Sequence, residues 1–167
     1  MPKKRVLVGM SGGVDSSAAA ALLLEQGYEV VGATMDLLPD GPSPDLADAK
    51  RVAAALGIEH HVLPFQKEFE KEVITPFCGE YLAGRTPNPC IFCNRSIKFG
   101  EMVKAADRLC CDLVATGHYA RIEFDQSRGR WLLKRADTRK DQSYVLYHLS
   151  QRQLSRVLLP LASYTKD

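Results

Sequence analysis

No apolar run in this 167-residue sequence approaches the ~20 residues that a helix needs to span a bilayer. The start, MPKKRVLVGM, carries basic residues without the apolar stretch and small-residue cleavage site of a signal peptide, and reads as cytoplasmic. There is no internal repeat and no low-complexity tract. Five cysteines, Cys78, Cys90, Cys93, Cys110 and Cys111, are an odd number in a chain without a secretion signal. A disulfide framework is therefore not expected, and redox, metal or nucleophile roles come forward. What is present is the composition of a soluble globular chain, 46% hydrophobic and 25% charged, enough for one domain with a sizeable core or one domain plus an appendage. Charge is uneven. Residues 1–119 hold 12 basic and 15 acidic residues, whereas residues 120–167 hold 10 and 5, a basic third that suits a polyanion or a solvated face.

Periodicity predicts strands at Arg5–Met10, Glu29–Thr34, Ile58–Leu63 and Asp112–Thr116. Between them lie predicted helices at Asp15–Gln26, Asp45–Leu56, Lys67–Leu82, interrupted or kinked near Pro76, and Asn94–Arg108. Gly27 and Gly57 stand where glycine ends a helix, and Pro39, Gly41, Pro42 and Pro44 mark a loop. This alternation implies an α/β fold: a doubly wound parallel sheet with helices on both faces. After Gly117 the pattern changes to a hairpin, Tyr119–Phe124 with Arg130–Arg135, and short helices at Asp141–His148 and Gln151–Val157. We therefore expect a core over 1–119 and a hairpin and helical extension over 120–167. The final residues look like the lead-in to another helix with Thr165 as N-cap, so the chain reads as a fragment of a longer protein.

Ser11-Gly12-Gly13-Val14-Asp15-Ser16-Ser17 lies between the first strand and the first helix. Two glycines let backbone N–H groups turn toward an anion, the helix start adds positive potential, and three serines supply hydroxyls. The loop lacks the lysine of GxxxxGK[ST], and its spacing is wrong for GxGxxG. An aspartate beside a phosphate cradle implies a bound cation such as Mg2+. The alternative is a turn that merely needs glycine.

In Arg85-Thr86-Pro87-Asn88-Pro89-Cys90-Ile91-Phe92-Cys93-Asn94 two prolines hold the backbone extended before a helix. Cys93 near a helix N-terminus, with Arg85, Arg95 and Lys98 close in sequence, has the features of a low-pKa nucleophile. Cys90 and Cys93 also form a CxxC that serves a redox pair, half of a zinc or iron–sulfur site, or simple packing, and no second CxxC completes a metal site. Cys110 and Cys111 sit beside a strand, outside any motif, as expected of structural residues.

SGGVDSS resembles the pyrophosphate loop of the ATP-pyrophosphatase superfamily (adenine nucleotide alpha hydrolase-like), whose members adenylate an oxygen and release pyrophosphate. GMSGGVDSS, GRTPNPCIFCNRSIKF, ATGHYAR and RADTRKDQSYVLYHL, in that order, resemble the tRNA-specific 2-thiouridylase family over about Lys3 to Lys166. The resemblance implies that ATP adenylates the C2 oxygen of a wobble uridine in tRNA and that a persulfide sulfur then displaces AMP. By the same resemblance Gly9, Met10, Ser11, Gly12, Gly13, Val14, Asp15, Ser16, Met35 and Gly117 line the ATP site. Asn88, Pro89 and Cys90 touch the target base, Cys93 is the nucleophile, and His118, Lys140, Asp141 and Gln142 meet tRNA. A persulfide donor protein is implied as a partner. Many family members have Asp where Cys90 stands, which removes that carboxylate here and raises the prospect of an iron–sulfur cluster on Cys90 and Cys93. The family's second, persulfide-carrying cysteine lies beyond Asp167, so the chain alone is expected to lack the complete chemistry.

Overall fold

The computed structural model describes residues 3–39 and 44–165. Val6, Leu7 and Val8 of strand β1 (Arg5–Gly9) are inaccessible to solvent, the run of apolar residues that a strand covered on both faces requires. β1 pairs in parallel with β2 (Glu29–Asp36) on one side and β4 (Leu113–Ala115) on the other. β3 (Glu59–Pro64) and β7 (Val157–Leu158) complete a five-stranded parallel sheet in the order β3-β2-β1-β4-β7.

Alternation along β1 sorts the two faces. Val6 and Val8 pack with Ala20 and Leu23 of α1 (Val14–Glu25) and Ala49 and Ala53 of α2 (Pro44–Leu56). Leu7 faces the other way, against two long helical runs, α3 (residues 66–82) and α4 (residues 89–108). Ile97, Phe99 and Met102 of α4 are fully buried there, each worth roughly 1.5–3 kcal/mol by apolar burial. The sheet is therefore doubly wound, as the alternation of predicted elements implies. β5 (Ala120–Asp125) and β6 (Arg130–Arg135) form the expected hairpin, with Phe124 and Trp131 paired across it, ring centroids 5.3 Å apart.

The helical run of α3 is interrupted near Pro76, as expected: Glu70–Ile74 is a wider π-helical turn in which the Thr75 N–H reaches back to the Glu70 carbonyl, and Pro76 falls at the start of the following segment. Three expectations are corrected. The predicted helix at Asn94 begins earlier, at Pro89, because Asn88 caps it. Asp141–His148 holds only a 3-10 turn, Ser143–Val145, because the Asp141 carboxylate accepts from the Ala136 N–H at 2.8 Å and the Ser143 hydroxyl at 2.7 Å and organises a turn instead. Gln151–Val157 is one turn, Gln151–Leu154 (α5), closed by a Ser150–Gln153 capping box; Val157 and Leu158 then pair with Val114 and Ala115. Residues 40–43, 166 and 167 lie outside the described residues, so the middle of the predicted loop and the continuation after Thr165 do too.

α4 ends in a Schellman arrangement, with the Cys111 N–H on the Ala106 carbonyl and the Cys110 N–H on the Asp107 carbonyl. Cys110 holds the left-handed position, φ 54°, that Gly27 and Gly57 take after α1 and α2. A side chain there is strained by roughly 1 kcal/mol, and Cys110 is exposed, so removing it opens no cavity. Cys110→Gly should therefore raise the thermal midpoint by a few degrees. A lower midpoint would show that the thiol makes a compensating contact.

Candidate functional site

The crevice beyond the carboxyl ends of β1 and β4 is the switch point of the sheet, because the connection from β1 runs toward β2 while the chain returns from β3 to β4 on the far side. A cavity of about 210 Å3 lies there, lined by Gly9, Met10, Ser11, Asp15, Ser16, Met35, Lys98, Thr116, Gly117, His118 and Gln142. Met10 and Ser11 come off β1, Asp15 and Ser16 form the first turn of α1, and Thr116 to His118 leave β4.

The loop is held by its own hydrogen bonds. Ser16 Oγ accepts from the Ser11 N–H at 3.2 Å and donates to the Gly13 carbonyl at 3.1 Å. Gly12 is left-handed, φ 74°, and a Cβ there would stand 2.6 Å from Asp48 Cβ and 2.9 Å from Ala49 N of α2. Gly117 closes the other wall: a Cβ would meet the Asp15 carbonyl carbon at 2.8 Å and Ser16 N at 2.9 Å. Both glycines are thus required by close backbone approach. The Tyr119 hydroxyl donates to Asp15 Oδ1 at 2.9 Å; burial, then that bond, hold the phenol above its usual pKa, so it remains a donor.

His118 is buried, its Nδ1 2.7 Å from Thr116 Oγ1 and its ring beside Phe99. Burial, with Lys98 nearby, lowers its pKa to about 3, so the imidazole is neutral at physiological pH. Gln142 clasps Tyr119, accepting from its N–H at 3.0 Å and donating its own N–H to the Tyr119 carbonyl at 2.7 Å.

The cavity thus gathers seven of the ten residues expected at the ATP site, together with His118 and Gln142. Gly12 and Gly13 lie in the loop behind it, and Val14 is two-thirds exposed. Asn88, Pro89, Cys90, Cys93, Lys140 and Asp141 are outside its lining. Asn88 is exposed and its side chain accepts from the Cys90 N–H at 3.1 Å, so its visible role is the cap of α4. Asp141 is likewise engaged in its own turn, while Lys140 is exposed.

The environment of Cys93 differs from the sequence expectation. Pro89 and Cys90 occupy the first turn of α4, and Cys93 lies a turn further on, half-buried against the core. Arg85 is turned away, held by Glu80 at 2.6 Å. Burial pushes the Cys93 thiol pKa up, Lys98 pulls against it, and the net shift is upward. Cys90 is exposed. Among the described residues no group of three or more His, Cys, Asp or Glu gathers at one point, so Cys90 and Cys93 do not by themselves fit a cluster that takes four ligands.

Sequence reasoning named Lys98 only as a basic neighbour of Cys93 and missed its place in the cavity, and it did not single out Thr116 or Tyr119. Thr116 and Tyr119 flank the Gly117-His118 pair and were open to inference from it. Lys98 was hidden by helical geometry: five residues after Cys93, it stands about 140° around an α-helix. Residues Cys93–Glu101 instead form a π-helical segment, whose i→i+5 bonding brings positions 93 and 98 onto one side.

The neutral His118 makes stability acid-sensitive. Its folded pKa of about 3 lies below the ordinary 6.5, so the unfolded chain binds the extra proton between those values. The contribution is complete above pH 6.5 and is lost as pH falls toward 3, with a slope of up to about 1.4 kcal/mol per pH unit. His118→Gln should flatten that limb in urea titrations across this window. An unchanged slope would show that protons reach the folded imidazole freely.

The chain is 52% identical over 180 residues to a tRNA-specific 2-thiouridylase MnmA of Acetivibrio thermocellus, covering all of this chain and 50% of that protein. It is 54% identical over 176 residues to a tRNA-specific 2-thiouridylase MnmA 2 of Caldanaerobacter subterraneus, covering 98% of this chain and 48% of that one. The chain thus spans about half the length of the curated relatives it matches. Its fold is shared with the crystal structure of a predicted subunit of tRNA methyltransferase from Methanocaldococcus jannaschii, at a TM-score of 0.55 and 20% identity, over 98% of this chain and 70% of that one. A family model described as the tRNA methyl transferase HUP domain matches residues 4–167, and the chain belongs to that family.

Proposed function

We propose that this chain is the ATP-activating part of an enzyme that thiolates the wobble uridine of tRNA at C2. The observation that carries the reading is the cavity at the switch point, where a rigid loop of glycines and hydroxyls, a helix start and one carboxylate converge. Ser11, Ser16 and the turn N–H groups would hold the phosphates. Asp15 suits Mg2+, which is commonly bound through one or two carboxylates plus substrate phosphates; the ion would neutralise phosphate charge. Met35 and Gly117 shape the walls.

In this scheme the C2 oxygen of the uridine attacks the α-phosphorus and pyrophosphate leaves. The terminal sulfur of a persulfide on the family's second cysteine then attacks C2 and AMP departs. Cys93 attacks the inner sulfur of the S–S bond, releasing the thiocarbonyl and leaving a disulfide between the two cysteines. The persulfide comes from a donor protein. A cytoplasmic setting is part of the same proposal; in the structure, no helix among the described residues is long and apolar enough to cross a membrane.

The tRNA would lie along the basic C-terminal third. There Arg121 pairs with Asp137, Lys134 with Glu123, and Arg135 lies 3.7 Å from Asp141. Exposed Arg139 and Lys140 are therefore better probes of phosphate contact than Lys134 or Arg135.

Asp15→Ala should abolish Mg2+-dependent ATP binding and tRNA-dependent pyrophosphate release, with the fold retained by circular dichroism. In a chain that also carries the family's second cysteine, Cys93→Ala should leave pyrophosphate release in place while removing 2-thiouridine from the nucleoside mass spectrum. ATP affinity unchanged by Asp15→Ala would overturn the pocket assignment. Affinity for tRNA should fall with salt at a log–log slope of roughly −0.7 to −0.9 per phosphate neutralised. Arg139→Glu with Lys140→Glu should make that slope shallower; a slope unchanged by the pair would place the tRNA elsewhere.

A further inference from the structure

We propose that Lys98 is the phosphate-binding cation of the cavity, supplying from α4 the charge that a GxxxxGK[ST] loop carries within itself. The proposal rests on the reading of the cavity as an ATP site.

The loop has hydroxyls, N–H groups and a carboxylate but no lysine or arginine between Gly9 and Ser17. Among the residues lining the cavity, Asp15 is the one carboxylate and Lys98 the one lysine or arginine. His118 cannot substitute for it, because its imidazole is neutral. Among the described residues that line the cavity, a nucleoside triphosphate therefore meets one positively charged side chain, in a concavity where partial exclusion of water strengthens the attraction.

The position of Lys98 is built rather than incidental. Its neighbours Ile97 and Phe99 are fully buried and fix that stretch of α4 against the sheet, while Lys98 itself is only partly buried. A lysine stem can lie along such apolar surface and present its ammonium at the rim. The π-helical register is tied from outside as well, because the Gln153 side-chain amide donates to the Arg95 carbonyl at 3.1 Å and the Phe99 carbonyl at 2.8 Å, on either side of Lys98. The same ammonium acts electrostatically on His118, which lines the cavity, and on Cys93, the candidate nucleophile.

The test compares the parent protein with Lys98→Met and Lys98→Arg by calorimetric titration of MgATP and of adenosine. Lys98→Met, which keeps the apolar stem, should weaken ATP roughly 10- to 100-fold and adenosine by less than about twofold. Lys98→Arg should recover most of the ATP affinity. Equal weakening of both ligands by Lys98→Met would mark a merely structural lysine and overturn the proposal, as would ATP binding at parental affinity. A parent protein that binds no ATP would instead sink the nucleotide reading itself. Should Lys98→Met not fold, Lys98→Gln is read by the same two ligands.

Discussion

The contact on which the site depends is backbone against backbone: Gly117, leaving β4, lies against the carbonyl of Asp15 and the N–H of Ser16 in the first turn of α1. No side chain fits between them, so the two walls of the crevice are set by the thickness of two peptide chains. That spacing fixes where the start of α1 stands relative to the sheet. It also places Asp15 within reach of the Tyr119 hydroxyl, two residues beyond the contact. Gly12 repeats the arrangement on the other side, against α2. The glycines of this site thus act as spacers that bring helix termini to the sheet edge, as well as making room for an anion.

Much of this architecture was open to inference from the sequence. The β1–loop–α1 unit announces itself because a short apolar run, two glycines and an alanine-rich segment allow few other readings. The hairpin is legible for the same reason, with alternating residues flanking a polar turn that holds Gly129. The fifth strand was not, because Val157 and Leu158 follow a helix-like stretch and owe their extended form to an open sheet edge beside Val114 and Ala115. Short elements of this kind are decided by tertiary pairing, which local propensity cannot reveal. The Asp141 turn escaped for a related reason: one carboxylate bound to groups on both sides outweighs the helical pattern around it.

The site was legible where it depends on loop chemistry and obscure where it depends on helix register. Ser11, Asp15 and Gly117 sit at strand ends, where position in sequence translates directly into position at the crevice. Cys93 and Lys98 lie inside a helix whose hydrogen bonding departs from the ordinary pattern, so counting residues at 100° per step misplaces one relative to the other. The early start of α4 at Pro89 sets Cys93 a turn inside the helix, away from the N-terminus that its sequence context suggests. There burial outweighs the nearby lysine.

The reach of Gln153 to Arg95 and Phe99 also orders events in time. A ribosome releases the chain from its N-terminus at roughly 5–20 residues per second. The 58 positions separating Arg95 from Gln153 therefore correspond to roughly 3–12 s of synthesis. During that interval the nascent helix exists without the glutamine that ties its wide turns, and without β7 beside β4. Its wide turns gain these two side-chain tethers only when the later segment docks, so the tether on the α4 wall of the pocket is supplied by a part of the chain made well after the glycine loop.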